Sequence, residues 1–76
     1  MKDFLEYIVK ELVDNTLDVS VKVTESEDKT VYELKVDEKD LGKVIGKRGK
    51  NADAIRTLIT AISAKNGKKA VLKIVE

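Results

Sequence analysis

Neither cysteine nor histidine occurs among the 76 residues, and these two absences remove much of enzyme chemistry at once. Without thiols there are no disulfides, thiolate nucleophiles or soft-metal sites, a composition suited to a reducing compartment. Without imidazole the commonest acid–base catalyst and the usual zinc ligands are missing, so only carboxylates, lysines and hydroxyls remain for chemistry. No metal site and no cofactor are expected. Proline is absent too, and the aromatics are only Phe4, Tyr7 and Tyr32. They are too few and too scattered to form an exposed platform for stacking bases. The longest apolar runs are three residues, far below the ~20 that span a bilayer, and the N terminus carries acids where a signal peptide has its apolar core. A cytoplasmic protein without membrane contact is the expectation.

With 42% hydrophobic and 38% charged residues and no low-complexity tract, the composition is that of a folded chain. The length allows one modest core, hence a single domain over residues 1–76. The net charge of +1 conceals a strong asymmetry. Residues 1–42 hold 6 basic and 12 acidic side chains, a balance of −6, whereas residues 43–76 hold 9 basic and 2 acidic, a balance of +7. Lys43, Lys47, Arg48, Lys50 and Arg56 face one acid, Asp53, within residues 43–56, so that window alone is +4. A polyanion is drawn to this window and repelled by the acidic half, which favours one docking orientation.

Hydrophobic periodicity orders the elements. Phe4, Leu5, Ile8, Leu12 and Val13 recur at helical spacing over residues 3–15, with Asp3, Glu6, Lys10, Glu11 and Asp14 outward. Leu17, Val19, Val21 and Val23 then alternate with polar residues, predicting a half-buried strand over about 17–24. A polar connection over 25–29 leads to a second strand over about 30–36, marked by Val31, Tyr32, Leu34 and Val36; the pattern leaves open whether the two form a hairpin. Asp37 and Asp40 read as N-cap and first-turn acid of a short helix bearing Leu41, Val44 and Ile45 on one face, ended by Gly46. A third helix follows Gly49 and runs to about 65, its buried stripe Ala52, Ile55, Leu58, Ile59 and Ile62, with Asn66-Gly67 as its stop. Ala70, Leu72 and Ile74, with Val71 and Val75 behind them, make the last strand. The fold class is therefore α+β in the order α-β-β-α-α-β.

The informative stretch is GKVIGKRGKNADAIRTLI, residues 42–59. Glycines 46 and 49 allow backbone conformations closed to residues with a Cβ and let a sugar-phosphate chain come close. The turn opens directly onto a helix N terminus, whose free N–H groups and dipole favour phosphate oxygens. Lys47 and Arg48, held between the glycines, project outward because the flanking apolar faces belong to the core. Nucleotide hydrolysis does not fit: a P-loop requires four residues between its glycines and a hydroxyl after the lysine, whereas three separate Gly42 from Gly46 and Arg48 follows Lys47.

These residues resemble the KH family, whose VIGxxG signature between two helices is matched by Val44, Ile45, Gly46, Lys47, Arg48 and Gly49. The element order resembles the type II arrangement of that family, a three-stranded mixed sheet packed against three helices, and covers the whole chain. Length, the GKVIGKRG run and the AIRTLI continuation resemble the bacterial single-domain KH proteins of the KhpA/YlqC family. The resemblance implies a non-enzymatic module that holds about four nucleotides of single-stranded RNA in a groove beside the loop, acting as an RNA chaperone or post-transcriptional regulator. It implies that Gly46 and Gly49 admit the backbone, that Lys47 and Arg48 contact phosphates, and that Val44, Ile45, Ala52 and Ile55 line or support the groove. Lys43, Lys50 and Arg56 extend the basic rim. Many KH sequences place a larger aliphatic where Ala52 stands, so a shallower groove is expected there. The resemblance also implies homodimers, or heterodimers with a Jag-type (KhpB) RNA-binding protein, for which the outer face around Ala61 and Ala64 is a candidate surface; no small-molecule substrate is expected. Lys65, Lys68, Lys69 and Lys73 read as solvent-facing, and Tyr7 and Tyr32 as buried rings with wet hydroxyls.

Overall fold

The computed structural model describes residues 2–75. Helix α1 (Lys2–Leu12) leads through a single tight turn at Thr16–Asp18 to strands β1 (Ser20–Glu25) and β2 (Lys29–Lys35). A second tight turn, Glu38–Asp40, opens onto α2 (Leu41–Ile45); Lys47–Gly49 separates it from α3 (Lys50–Lys65), and β3 (Lys69–Val75) closes the chain. The fold is thus α+β in the expected order, with a mixed sheet ordered β1-β2-β3. β1 and β2 form an antiparallel hairpin from Ser20↔Lys35 to Glu25↔Thr30, which settles the connection the sequence left open. β2 and β3 run parallel from Lys29↔Lys69 to Lys35↔Val75.

One face of the sheet meets the helices. Val21, Tyr32 and Leu34 join Leu5, Val9, Val13, Val19, Val36, Val44, Ile55 and Ile59 in one buried cluster, with Leu72 and Ile74 packed against its edge. Alternation along the strands turns the intervening residues to the other face, which none of the described elements covers. Val71 and Val75 lie on that second face, half-buried.

Several boundaries differ from the sequence reading. The first helix ends at Leu12 rather than 15, and its buried residues are Leu5 and Val9. Phe4 stands 49% exposed and Tyr7 63% exposed, because the buried stripe is centred on Leu5 and Val9, and both rings lie off its axis. Tyr32 is buried, as expected. Leu17 does not begin a strand: it sits in the Thr16–Asp18 turn and is 99% exposed. Period-two spacing matched Leu17 to Val19 and Val21, although the chain joins the sheet only at Ser20. On α3 the buried residues are Ala52, Ile55, Ile59 and Ser63, while Leu58 and Ile62 are half-buried. The predicted stop is present. Gly67 (φ 70°) donates to the Ala64 carbonyl and Lys68 to the Ser63 carbonyl, both at 3.0 Å, the paired bonds of a left-handed glycine cap.

Asp37 caps as anticipated, accepting from the Lys39 N–H at 2.9 Å. Asp40 does something else. Only 2% exposed, its carboxylate accepts from the backbone N–H of Asn15 at 2.9 Å and of Asp14 at 3.3 Å. It thereby fastens the end of α1 to the start of α2. Lys43 reinforces the clasp, pairing with Asp14 and lying 3.8 Å from Asp40, and Asn15 Nδ2 donates to Asp37 at 2.7 Å. The Asn15 N–H holds the Asp40 carboxyl below its usual value of 3.8, against the opposing effect of burial and with help from Asp14 and Lys43. A group whose folded-state pKa is depressed contributes stability above its unfolded pKa and loses it as pH falls through the folded value. Asp40→Asn, which replaces one accepting oxygen by a donor facing other donors, is expected to lower the melting temperature at pH 7 by roughly 5–10 °C. It should also flatten the loss of stability below about pH 4; thermal melts of both proteins across pH 2–7 check both effects.

Candidate nucleic-acid interface

The corner between α2 and α3 is built from three consecutive constraints. α2 ends where the Gly46 N–H donates to the Gly42 carbonyl at 2.9 Å. Gly46 then adopts φ 77° and ψ 171°, a region open in practice to glycine alone. A Cβ built there lies 2.7 Å from Asn51 Cγ and 2.9 Å from the Asn51 backbone nitrogen, so glycine is required for space as well as conformation. Arg48 is left-handed at φ 58°, ψ 26°, a conformation that costs a non-glycine residue about 1–2 kcal/mol. Gly49 is left-handed as well, at φ 75°, ψ 13°, with open space where its Cβ would point. The two glycines therefore serve different ends: Gly46 permits contact with Asn51, while Gly49 permits a bend.

Asn51 was not singled out by sequence. Its Nδ2 donates to the Lys43 carbonyl at 2.9 Å, closing the end of α2 while its side chain lies against Gly46. The available signal was an amide, a capping type of residue, placed in the first turn of a helix where a stronger helix former would be ordinary.

Lys47, Arg48 and Lys50 are exposed around this corner, and Gly46 and Gly49 are partly open. Among the described residues no side chain caps the N terminus of α3, whose Lys50 N–H donates to the Lys47 carbonyl, and this helix end lies beside the two loop cations. The other candidates are distributed unevenly. Val44, Ala52 and Ile55 are buried in the core and support the corner from beneath. Ile45, 37% exposed, is the aliphatic that reaches the surface. Lys43 is drawn into the Asp14–Asp40 clasp, and its ammonium is held above the usual 10.5 chiefly by the hydrogen bond to Asp14. Arg56 pairs with Asp53 at 3.1 Å. Of the candidate cations at the corner, Lys47, Arg48 and Lys50 join no ion pair among the described residues. No pocket is present among the described residues, so the groove expected beside the loop is at most a shallow surface.

A helix, a glycine-bracketed turn and a longer helix, laid on a three-stranded mixed sheet in this order, make up a KH domain. The family model described as "KhpA/KhpB, KH domain" matches residues 2–74. Several relatives bear the name RNA-binding protein KhpA. That of Aquifex aeolicus is 53% identical over 76 residues, spanning 100% of this chain and 96% of its own. That of Clostridium perfringens is 47% identical over 75 residues, 99% and 100% of the two chains, and that of Listeria monocytogenes 45% over 76 residues, 100% of both. The chain belongs to the KhpA/KhpB KH-domain family. No solved structure matches it.

Proposed function

We propose that this chain is a non-enzymatic, single-domain protein that binds single-stranded RNA, gripping the backbone at Gly46–Gly49. One observation carries the reading: the exposed Lys47 and Arg48 stand between two positive-φ glycines, beside the N terminus of α3. Nearly all of the polar apparatus at this corner is made of donors and cations, which suits phosphate and not a base edge. The relatives' name, RNA-binding protein, supports the choice of polyanion. Ile45 provides the apolar contact beside the loop, and the buried Val44, Ala52 and Ile55 hold it in place. The open surface fits an unpaired strand that has few contacts to its bases and hence weak sequence preference. A role as RNA chaperone or post-transcriptional regulator in the cytoplasm accords with such binding, as does the type II arrangement with the observed element order.

Three or four engaged phosphates imply that log affinity falls against log salt with a slope of roughly −2 to −3. Fluorescence anisotropy with a short oligouridylate at several salt concentrations measures this slope. A slope near zero, or no binding at low salt, would reject the reading.

A second reading has its own support. Phe4 and Tyr7 stand exposed on α1, and Ala61 and Ala64 are exposed on α3, surfaces compatible with a second copy of the chain or a Jag-type (KhpB) protein. Sedimentation of the chain alone and mixed with such a protein distinguishes a scaffold from a solitary RNA binder.

A further inference from the structure

The uncovered face of the sheet is the second concentration of positive charge. Strand alternation and register place Lys22 (β1), Lys29 and Lys35 (β2), and Lys69 and Lys73 (β3) on that face, with Glu33 as its only acid among the described residues. Lys22, Glu33 and Lys73 form one row across the sheet, and Lys29 and Lys69 another. All five lysines are exposed, and none takes part in an ion pair among the described residues. Val31 and Val71 lie between these rows, and Val75 lies beside Lys35 in the row beyond Lys22; all three are half-buried, an apolar floor among the cations.

The charge balance shows how strongly this face is singled out. Five lysines and Glu33 give +4; the window 43–56 gives another +4; the whole chain is +1. All remaining residues therefore sum to −7. A near-neutral protein has gathered its positive charge at two places, the loop corner and this sheet face, against an acidic remainder. Lysines on edge strands also discourage pairing between sheets. That role does not account for Lys29 and Lys35 on the central strand, whose backbone groups are satisfied on both sides.

We infer that the open sheet face is a second contact for the RNA backbone, taking up phosphates of the strand that leaves the Gly46–Gly49 corner. This rests on the RNA-binding reading above. The size of the molecule permits it: its extents are 34 × 24 × 17 Å, and a strand held at the helical layer by about four nucleotides has at most these distances to cross. Rows two residues apart along a strand are separated by about 6.7 Å, so the lysines form a ladder about 20 Å long. Flexible ammonium groups on such a ladder neutralise phosphates without reading bases, which extends the site without adding sequence preference.

The test compares two oligouridylates, of five and twenty nucleotides, binding to the full chain. In the face variant, Lys22→Gln, Lys35→Gln, Lys69→Gln and Lys73→Gln are combined. A control carries Lys2→Gln, Lys10→Gln, Lys39→Gln and Lys65→Gln, which alters net charge equally away from the face. The face variant is expected to bind the 5-mer as the wild type does. Its affinity for the 20-mer should fall about tenfold or more, with a salt slope shallower by roughly 2–3. The control should bind both nearly normally, and circular dichroism should show all three folded. Unchanged 20-mer binding by the face variant, or equal weakening of both oligomers in both variants, overturns the inference. Reversing the loop charges separates the two ideas: loss of 5-mer binding alone, with residual 20-mer binding that the face substitutions then remove, supports both sites. Undiminished 5-mer binding by the loop variant sinks the corner assignment, and no binding of either oligomer by the wild type sinks both.

Discussion

The double variant Lys47→Asp, Arg48→Asp is expected to lose about 100-fold or more of its affinity for a short single-stranded RNA, with fold and assembly unchanged. Each substitution removes a charge-assisted contact worth roughly 1.5–3 kcal/mol and sets a carboxylate against phosphate. Neither side chain is buried, and neither joins an ion pair among the described residues, so little structural cost accompanies the change. Arg48 already occupies a left-handed conformation, and aspartate tolerates it better than arginine, which favours retained folding. Anisotropy titrations, far-ultraviolet circular dichroism and sedimentation together check the result. Wild-type affinity in the folded double variant would remove the loop from the interface.

The glycines should respond very differently to the same small change. Gly46→Ala forces a Cβ to 2.7–2.9 Å from Asn51 atoms, one of them backbone, in a region of φ and ψ that L-residues avoid. Strain and overpacking together are expected to cost roughly 2–4 kcal/mol, a fall in melting temperature of about 10 °C or more in so small a domain. Gly49→Ala meets open space and should cost about 1 kcal/mol for its left-handed backbone alone. Thermal melts of the two variants rank the sites; equal losses would contradict the distinct geometry at Gly46. RNA affinity should fall in Gly46→Ala even at temperatures where it remains folded, since the contact with Asn51 that closes α2 is displaced.

Much of this fold was legible because its signals are local. A change of period from helical to alternating marked the passage from α1 to the strands, and Asn66-Gly67 marked the end of α3. The corner was legible for the same reason, since two glycines, two cations and a following amphipathic stretch lie within one short window. What remained hidden depends on partners distant in sequence. Asp40 reads as an ordinary first-turn acid until its carboxylate is seen to hold backbone groups 25 and 26 residues away. Lys43 counted as a rim cation for lack of any sign that Asp14 would claim it. Leu17 shows a different limit: alternation tells which residues share a face, but not where the chain leaves the sheet. Phe4 and Tyr7 show that a helix can carry apolar residues beyond the stripe it buries.

The parallel pairing of β2 with β3 joins residues 40 apart in the chain, from Lys29↔Lys69 to Lys35↔Val75. Everything that forms the cationic corner lies inside that span, so the corner is a loop whose base closes only when the terminal strand docks. Such nonlocal closure comes at an entropic cost before it is rewarded and slows folding. During synthesis the corner, although it emerges midway, stays unfastened until residues 69–75 have been made and β3 has docked, so Lys47 and Arg48 reach their final placement only after that strand has emerged.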